Sequence, residues 1–253
     1  MKTPPALPEV NISELDEVRY LHLGTEWVQG SMQLDQPFDI HLEYVQRMMA
    51  WLLFVEPDFV PKRRALQLGL GAATLTKFCF KRLRMDTTVI EINPQVVAVC
   101  RRWFKLPAPS ARLQIILDDA GQAIRRPEHQ GRYDALQVDL YDHEAAAPVL
   151  DSPGFYADCR DALTDEGCLT VNLFGRDASY ERSLASLCEA FGDDAVWAFR
   201  PTRDGNTIVL AQRHAERPGS ATLAARASEI KRRWGLPAPK WLRNMQRVST
   251  QVS

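Results

Sequence analysis

The chain has 253 residues, 31 Lys+Arg against 32 Asp+Glu, a mass of 28.7 kDa and a pI near 6.5. That length suits one domain with extensions or one large and one small domain, and 45% apolar with 25% charged residues excludes a mostly disordered, collagenous or coiled-coil chain. The longest apolar run, residues 48–55, is far shorter than the roughly 20 residues of a membrane-spanning helix; no secretory signal is visible in residues 1–10, and near-zero net charge removes the general electrostatic case for nucleic acid.

A soluble, cytoplasmic protein is therefore expected, with no membrane and no nucleic-acid partner. Cys79, Cys100, Cys159, Cys168 and Cys188 form no C-x-x-C pair, so buried thiols are expected rather than disulfides or zinc. The scattered His22, His41, His129 and His214 likewise suggest no metal site. Charge is uneven along the chain. Residues 1–60 hold ten acids and three bases, whereas residues 213–253 hold nine Lys/Arg and two acids. An acidic start and a basic tail could dock on each other, within one chain or across a dimer, or simply face solvent.

In chain order, residues 18–23 and 27–33 flank Gly24-Thr25 and predict a hairpin. Residues 39–54 repeat Leu42, Val45, Met48, Met49, Leu52 and Leu53 at helical spacing, with Asp39 placed to cap the start. From Arg64 the pattern alternates. Strands are expected at 65–68, 87–92, 113–117, 135–138, 168–173, 195–199 and 207–211. Helices are expected at 74–83, from Pro94 onward, at 121–125, at 154–163 and at 221–234. Alternation at this spacing implies an α/β fold, a doubly wound, mostly parallel sheet with antiparallel end strands, in which ligands bind beyond the carboxyl ends of the strands.

The residues at those ends carry chemistry. The first strand runs into Gly69-Leu70-Gly71, a turn that lets backbone approach a ligand, although Thr74 replaces the third glycine of the full dinucleotide fingerprint. Glu91, 22 residues after Gly69, ends the second strand and can accept from both ribose hydroxyls; it could equally serve the helix start at Asn93-Pro94. Asp118-Asp119-Ala120 ends the third, where an acid beside a free N–H can pair with an adenine or cap a helix. Asp139 and Asp142 follow the fourth, spaced to hold a cation or accept a proton from an amine, or to stand as solvated loop acids.

The elements at residues 66–73, Glu91-Ile92-Asn93-Pro94, Asp119-Ala120 and Tyr133-Asp134 through Asp139-Leu140-Tyr141-Asp142 resemble, in order and spacing, the spermidine synthase-like aminopropyltransferases on the S-adenosylmethionine methyltransferase fold. The similarity extends over about residues 18–212. It implies a small N-terminal β-hairpin region with a lead-in helix (1–60), a Rossmann-like nucleoside-binding domain (61–212) and a basic helical tail (213–253). It further implies that Gln33, Gly69, Gly71, Glu91, Asp119, Ala120 and Asp139 bind decarboxylated S-adenosylmethionine. Asp142 would orient and deprotonate the attacking amine, with Asp139 beside it, and putrescine is the default acceptor. A homodimer and no metal are implied.

Three departures from the family pattern stand out. Ala72 occupies the place of an Asp that holds the aminopropyl ammonium. Arg203 occupies the place of a Tyr in the polyamine groove, where a cation would repel the substrate. His143 replaces a Pro. Methyl transfer from S-adenosylmethionine, or a non-catalytic nucleoside-binding scaffold, are the alternative expectations.

Overall fold

The computed structural model describes residues 7–140, 150–174, 178–216 and 218–248. Three strands come first, β1 (Val10–Leu15), β2 (Val18–Leu23) and β3 (Val28–Gln33), forming an antiparallel sheet in that order. The predicted hairpin is β2–β3. Strand β1 was not expected, because its turn into β2 is made by Asp16 and Glu17, with φ of 49° and 62°. Those values suit a tight hairpin turn but are usually supplied by Asn or Gly.

The predicted helix at 39–54 is shorter and tighter than its periodicity implied. It comprises α1 (Glu43–Arg47) and then a 3₁₀ turn at Ala50–Phe54. Its cap is Leu42, without a side-chain bond, because Asp39 is engaged elsewhere, pairing with Arg82 at 2.9 Å. The apolar repeat nevertheless does what it forecast: Met48, Met49, Leu52 and Leu53 are buried.

The rest follows the alternating pattern. In order come β4 (Arg64–Leu68), α2 (Thr74–Lys77) with a π turn at Phe78–Arg82, β5 (Asp86–Glu91), α3 (Pro94–Trp103), β6 (Leu113–Leu117) and α4 (Ala120–Ala123). Then β7 (Tyr133–Val138), α5 (Pro153–Ala162), β8 (Leu163–Phe174), α6 (Ala178–Phe191), β9 (Val196–Phe199) and β10 (Asn206–Gln212) complete the body. The tail supplies α7 (Ser220–Trp234), α8 (Ala238–Asn244) and β11 (Met245–Arg247). The helices α6 and α8 and the three-residue strand β11 were not anticipated from sequence.

The large sheet has the order β11-β9-β10-β8-β7-β4-β5-β6. The strands β6, β5, β4, β7 and β8 pair in parallel, and β10, β9 and β11 pair antiparallel. Strand order reverses between β4 and β7, so the crevice for a ligand opens beyond their carboxyl ends.

One core cluster takes Met48 and Trp51 from the lead-in, Phe78 and Ile208 from the body, and Ile230 and Trp241 from the tail. The acidic start and basic tail meet here within one chain. The Arg226 guanidinium donates to the Leu53 carbonyl at 3.1 Å and lies 3.7 Å from Glu56, and Arg233 pairs with Asp58 at 2.6 Å. All five cysteines are buried and unpaired. Among the described residues no helix is long and apolar enough to cross a membrane.

Candidate active site

A cavity of about 810 Å³ lies at the switch point between β3, the ends of β4–β7 and the β9–β10 turn. Gly69, Gly71, Glu91, Asp119, Ala120 and Asp139 all line it, so six of the predicted ligand-binding residues converge. Asp142 lies outside the described residues. Gln33 is placed elsewhere: it pairs with Val18 at the far end of β3 and does not line the cavity. Gln29, on the same strand, does. The pairing passes from Leu21↔Gly30 to His22↔Val28 and skips Gln29. An extra residue of this kind re-aims its side chain, and no one-dimensional pattern marked it.

The glycine turn is dictated by close approach. A Cβ on Gly69, which has φ of 90°, would sit 2.5 Å from the Asp139 carbonyl oxygen, and the Asp139 N–H donates to the Leu68 carbonyl at 3.1 Å. Glycine therefore lets the ends of β4 and β7 close together and brings Asp139 to the turn. Gly30 answers to Ala72 in the same way, since a Cβ there would lie 2.7 Å from that of Ala72. Ala72 is thus buried against Gly30 of β3 and is not among the residues that line the cavity.

Glu91 fills the structural one of the two roles considered for it and also lines the cavity. One carboxylate oxygen accepts the Leu70 N–H and the other the Asn93 N–H, each at 2.8 Å. The carboxylate locks the glycine turn to the start of α3, and with about four lone-pair sites it has acceptor capacity beyond the N–H groups of Leu70, Asn93 and Ile92. Burial pushes its proton affinity up, while the N–H groups of Asn93 and Leu70 pull it back. Asp119 also has a double role: it caps α4 through the Gln122 N–H at 2.8 Å and lines the cavity. Asp118 pairs with Arg126 and gives its other oxygen to the Asp119 N–H. The Ala120 N–H, first in α4, has no acceptor within its own helix.

The other wall is built differently. Asp139 accepts from the Asn172 amide at 2.9 Å and is also bonded to the Tyr44 phenol. Burial raises its carboxyl to a pKa of about 6, partly offset by those two donors. The Asn172 carbonyl in turn accepts from the Asn206 amide at 3.1 Å. The β9–β10 turn presents Asp204, not Arg203, to the cavity, and Arg203 is exposed. The repulsive arginine suggested by the Pro201-Thr202-Arg203 run is therefore absent from the lining. Sequence reasoning missed Asn172, Asn206, Asp204 and Glu26, all of which line the cavity.

Glu26, Glu91, Asp118, Asp119, Asp139 and Asp204 line the cavity, and its described lining includes no Lys, Arg or His. This arrangement can hold a nucleoside on one wall and bring a cation to a partly protonatable carboxylate on the other.

Known proteins resemble this chain in sequence and in fold. Residues 69–193 match the Spermine/spermidine synthase domain. A polyamine aminopropyltransferase of Neisseria meningitidis is 34% identical over 242 residues, covering 94% of this chain and 89% of that protein. Another from Chromobacterium violaceum is 32% identical over 250 residues, covering 98% and 93%. Among solved structures, a probable spermidine synthase from Corynebacterium glutamicum superposes with a TM-score of 0.70 at 20% identity, covering 93% of this chain and 90% of that one. Human Methyltransferase-like protein 13 in complex with SAH gives 0.69 at 23% identity, covering 77% and 93%. These two share the fold. The nearly end-to-end identity to the Neisseria and Chromobacterium proteins goes further and shows that the chain is an enzyme of the spermine/spermidine synthase family of polyamine aminopropyltransferases.

Proposed function

We propose that the protein transfers the aminopropyl group of decarboxylated S-adenosylmethionine to a small diamine, putrescine by default, and releases methylthioadenosine. The observation that carries this reading is the cavity's charge: six carboxylates and, among the described lining residues, no cation. Decarboxylated S-adenosylmethionine brings a sulfonium and an ammonium, and the acceptor brings further ammonium groups. Such ligands fit a wall of carboxylates. The carboxylated cofactor would set an extra anion against it, a repulsion of roughly 3 kcal/mol for one pair at about 6 Å and an effective dielectric of about 20.

Glu91 holds the ribose, while Asp119 and the Ala120 N–H hold the adenine. The acceptor arrives as an ammonium, which has no lone pair, so a carboxylate must take its proton first. The resemblance gave that step to Asp142. The surroundings of Asp139, part-buried beside the glycine turn with a carboxyl pKa raised to about 6, support Asp139 as the proton acceptor, with Asp142 three residues later as a second acid. The freed amine attacks the propyl carbon next to sulfur in line. An N–C bond forms, the C–S bond breaks, and its electron pair neutralises the sulfonium. Alignment of the two reactants supplies much of the rate. With Ala72 covered by Gly30, Asp204 and Glu26 are the carboxylates available to meet distal ammonium groups. The five unpaired thiols support a reducing, cytoplasmic setting.

Methyl transfer is the second reading, favoured by the lack of an acid at position 72. Incubation with putrescine and decarboxylated S-adenosylmethionine decides between them. Stoichiometric methylthioadenosine is expected. Its absence across several amines, with methyl transfer from S-adenosylmethionine instead, would replace the proposal by the alternative.

A further inference from the structure

Asp139, Asn172 and Asn206 stand on three neighbouring strand ends and form one directed chain of side-chain hydrogen bonds. We infer that Asn206 is a positioning residue for the proton acceptor, acting through Asn172, which it forces to present its amide N–H₂ rather than its carbonyl to Asp139.

An asparagine has one acceptor oxygen and one donor nitrogen, and which end faces a neighbour is set by the remaining partner. Asn172 is 4% exposed, so water does not settle its orientation freely. Its oxygen is occupied by the Asn206 amide at 3.1 Å, which leaves the nitrogen for the Asp139 carboxylate at 2.9 Å. Asn206, 9% exposed, is itself held by its turn. Its N–H donates to the Thr202 hydroxyl at 3.1 Å, its carbonyl accepts the Thr202 N–H at 2.7 Å, and the Gly205 N–H closes the turn on the Thr202 carbonyl at 3.1 Å.

A polar chain at buried strand ends could exist only to satisfy its own members. Here, however, all three side chains line the cavity and the chain ends on a carboxylate. The other titratable groups around Asp139 do not replace this donor. Tyr44 from α1 provides one further hydrogen bond, while Glu26, Glu91, Asp118, Asp119 and Asp204 line the same cavity as acids and offer no donor in its place. A donor of fixed direction keeps the carboxylate ionised and aimed. This inference rests on the aminopropyl-transfer reading for its purpose, but not for its measurement.

The test is a double-mutant cycle on Asn172→Leu and Asn206→Asp, read by carbon-13 NMR titration of the Asp139 carboxyl and by the acid limb of the kcat/KM profile. Asn172→Leu removes the donor. Asn206→Asp substitutes an acceptor for the donor, so that Asn172 turns its carbonyl toward Asp139. Each is expected to raise the Asp139 midpoint by about one pH unit, and the acid limb by the same amount. Asn206→Asp also adds a charge; in the Asn172→Leu background only that through-space part remains, and the shift should fall to less than half. An equal shift in both backgrounds, or an unmoved Asp139 in folded variants, would overturn the inference. Asn206→Ala gives a milder check if Asn206→Asp does not fold, and should move the midpoint in the same direction. Loss of transfer to every amine by the wild type, with the NMR shifts intact, would count against the reaction and not against the positioning chain.

Discussion

The two walls of the cavity hold their acids by different means. On the nucleoside wall, Glu91 and Asp119 are anchored by backbone N–H groups close in sequence or at the adjoining turn: Leu70, Asn93 and Gln122. On the reaction wall, Asp139 is held by side chains from distant elements: Asn172 33 residues away, and Tyr44 from the lead-in helix. In the proposed reading the first wall would couple binding to folding, because the same carboxylates close the turns. The second can be altered with less effect on the frame, and its acid is kept at a raised pKa by burial. Substitutions on the two walls should therefore separate affinity and stability from rate.

The largest effect is expected on the reaction wall. Asp139→Asn should lower kcat about 10³-fold, within the range for loss of a general base, while calorimetry still finds nucleoside affinity nearly unchanged. A variant with full rate would return the proton to Asp142. On the other wall Glu91→Ala strands the Leu70 and Asn93 N–H groups and should cost about 3 kcal/mol in chemical denaturation, given roughly 1–3 kcal/mol per buried unpaired group. It should also weaken adenosyl binding. Loss of affinity without loss of stability would contradict the double role of Glu91.

A pH comparison sharpens the contrast. The Asp139 carboxyl is raised from 3.8 to about 6 in the folded protein. Between these values the folded state binds the extra proton, so stability from this group falls as pH rises from about 4 to about 6. Relative to Asp139→Asn, the wild type should lose about 2 kcal/mol across that window, after discounting for its partial exposure. A flat difference between the two denaturation series would show that burial does not strain this carboxylate. The smallest effect is expected far from both walls. Arg233→Ala breaks the partly exposed pair with Asp58 and should cost under about 1 kcal/mol, diminishing with salt.

The same contrast explains what could be read in the sequence. Gly69, Gly71, Glu91, Asn93-Pro94 and Asp119 act through local backbone, so their spacing alone forecast one wall and the parallel part of the sheet. The other wall is assembled by antiparallel pairing of β8 with β10, which brings Asn206 to Asn172 across 34 residues. No local pattern marks such a pair. Gln29 and Gln33 show the same limit on a smaller scale. The strand was identified from its composition, but an irregularity in pairing decides which glutamine reaches the cavity. Arg203 was expected in the groove from its position after Pro-Thr, yet the turn closed by Thr202 and Asn206 presents Asp204 instead. Similarly, α1 is short because a 3₁₀ turn buries the same apolar residues with the spacing a longer helix would have used.

The central claim is that a cavity walled by carboxylates selects the decarboxylated cofactor. Calorimetric titration with S-adenosylmethionine and its decarboxylated form tests it most directly. The account predicts affinity for the decarboxylated form at least tenfold tighter, with the preference shrinking at high salt; equal or tighter binding of the carboxylated form would contradict it.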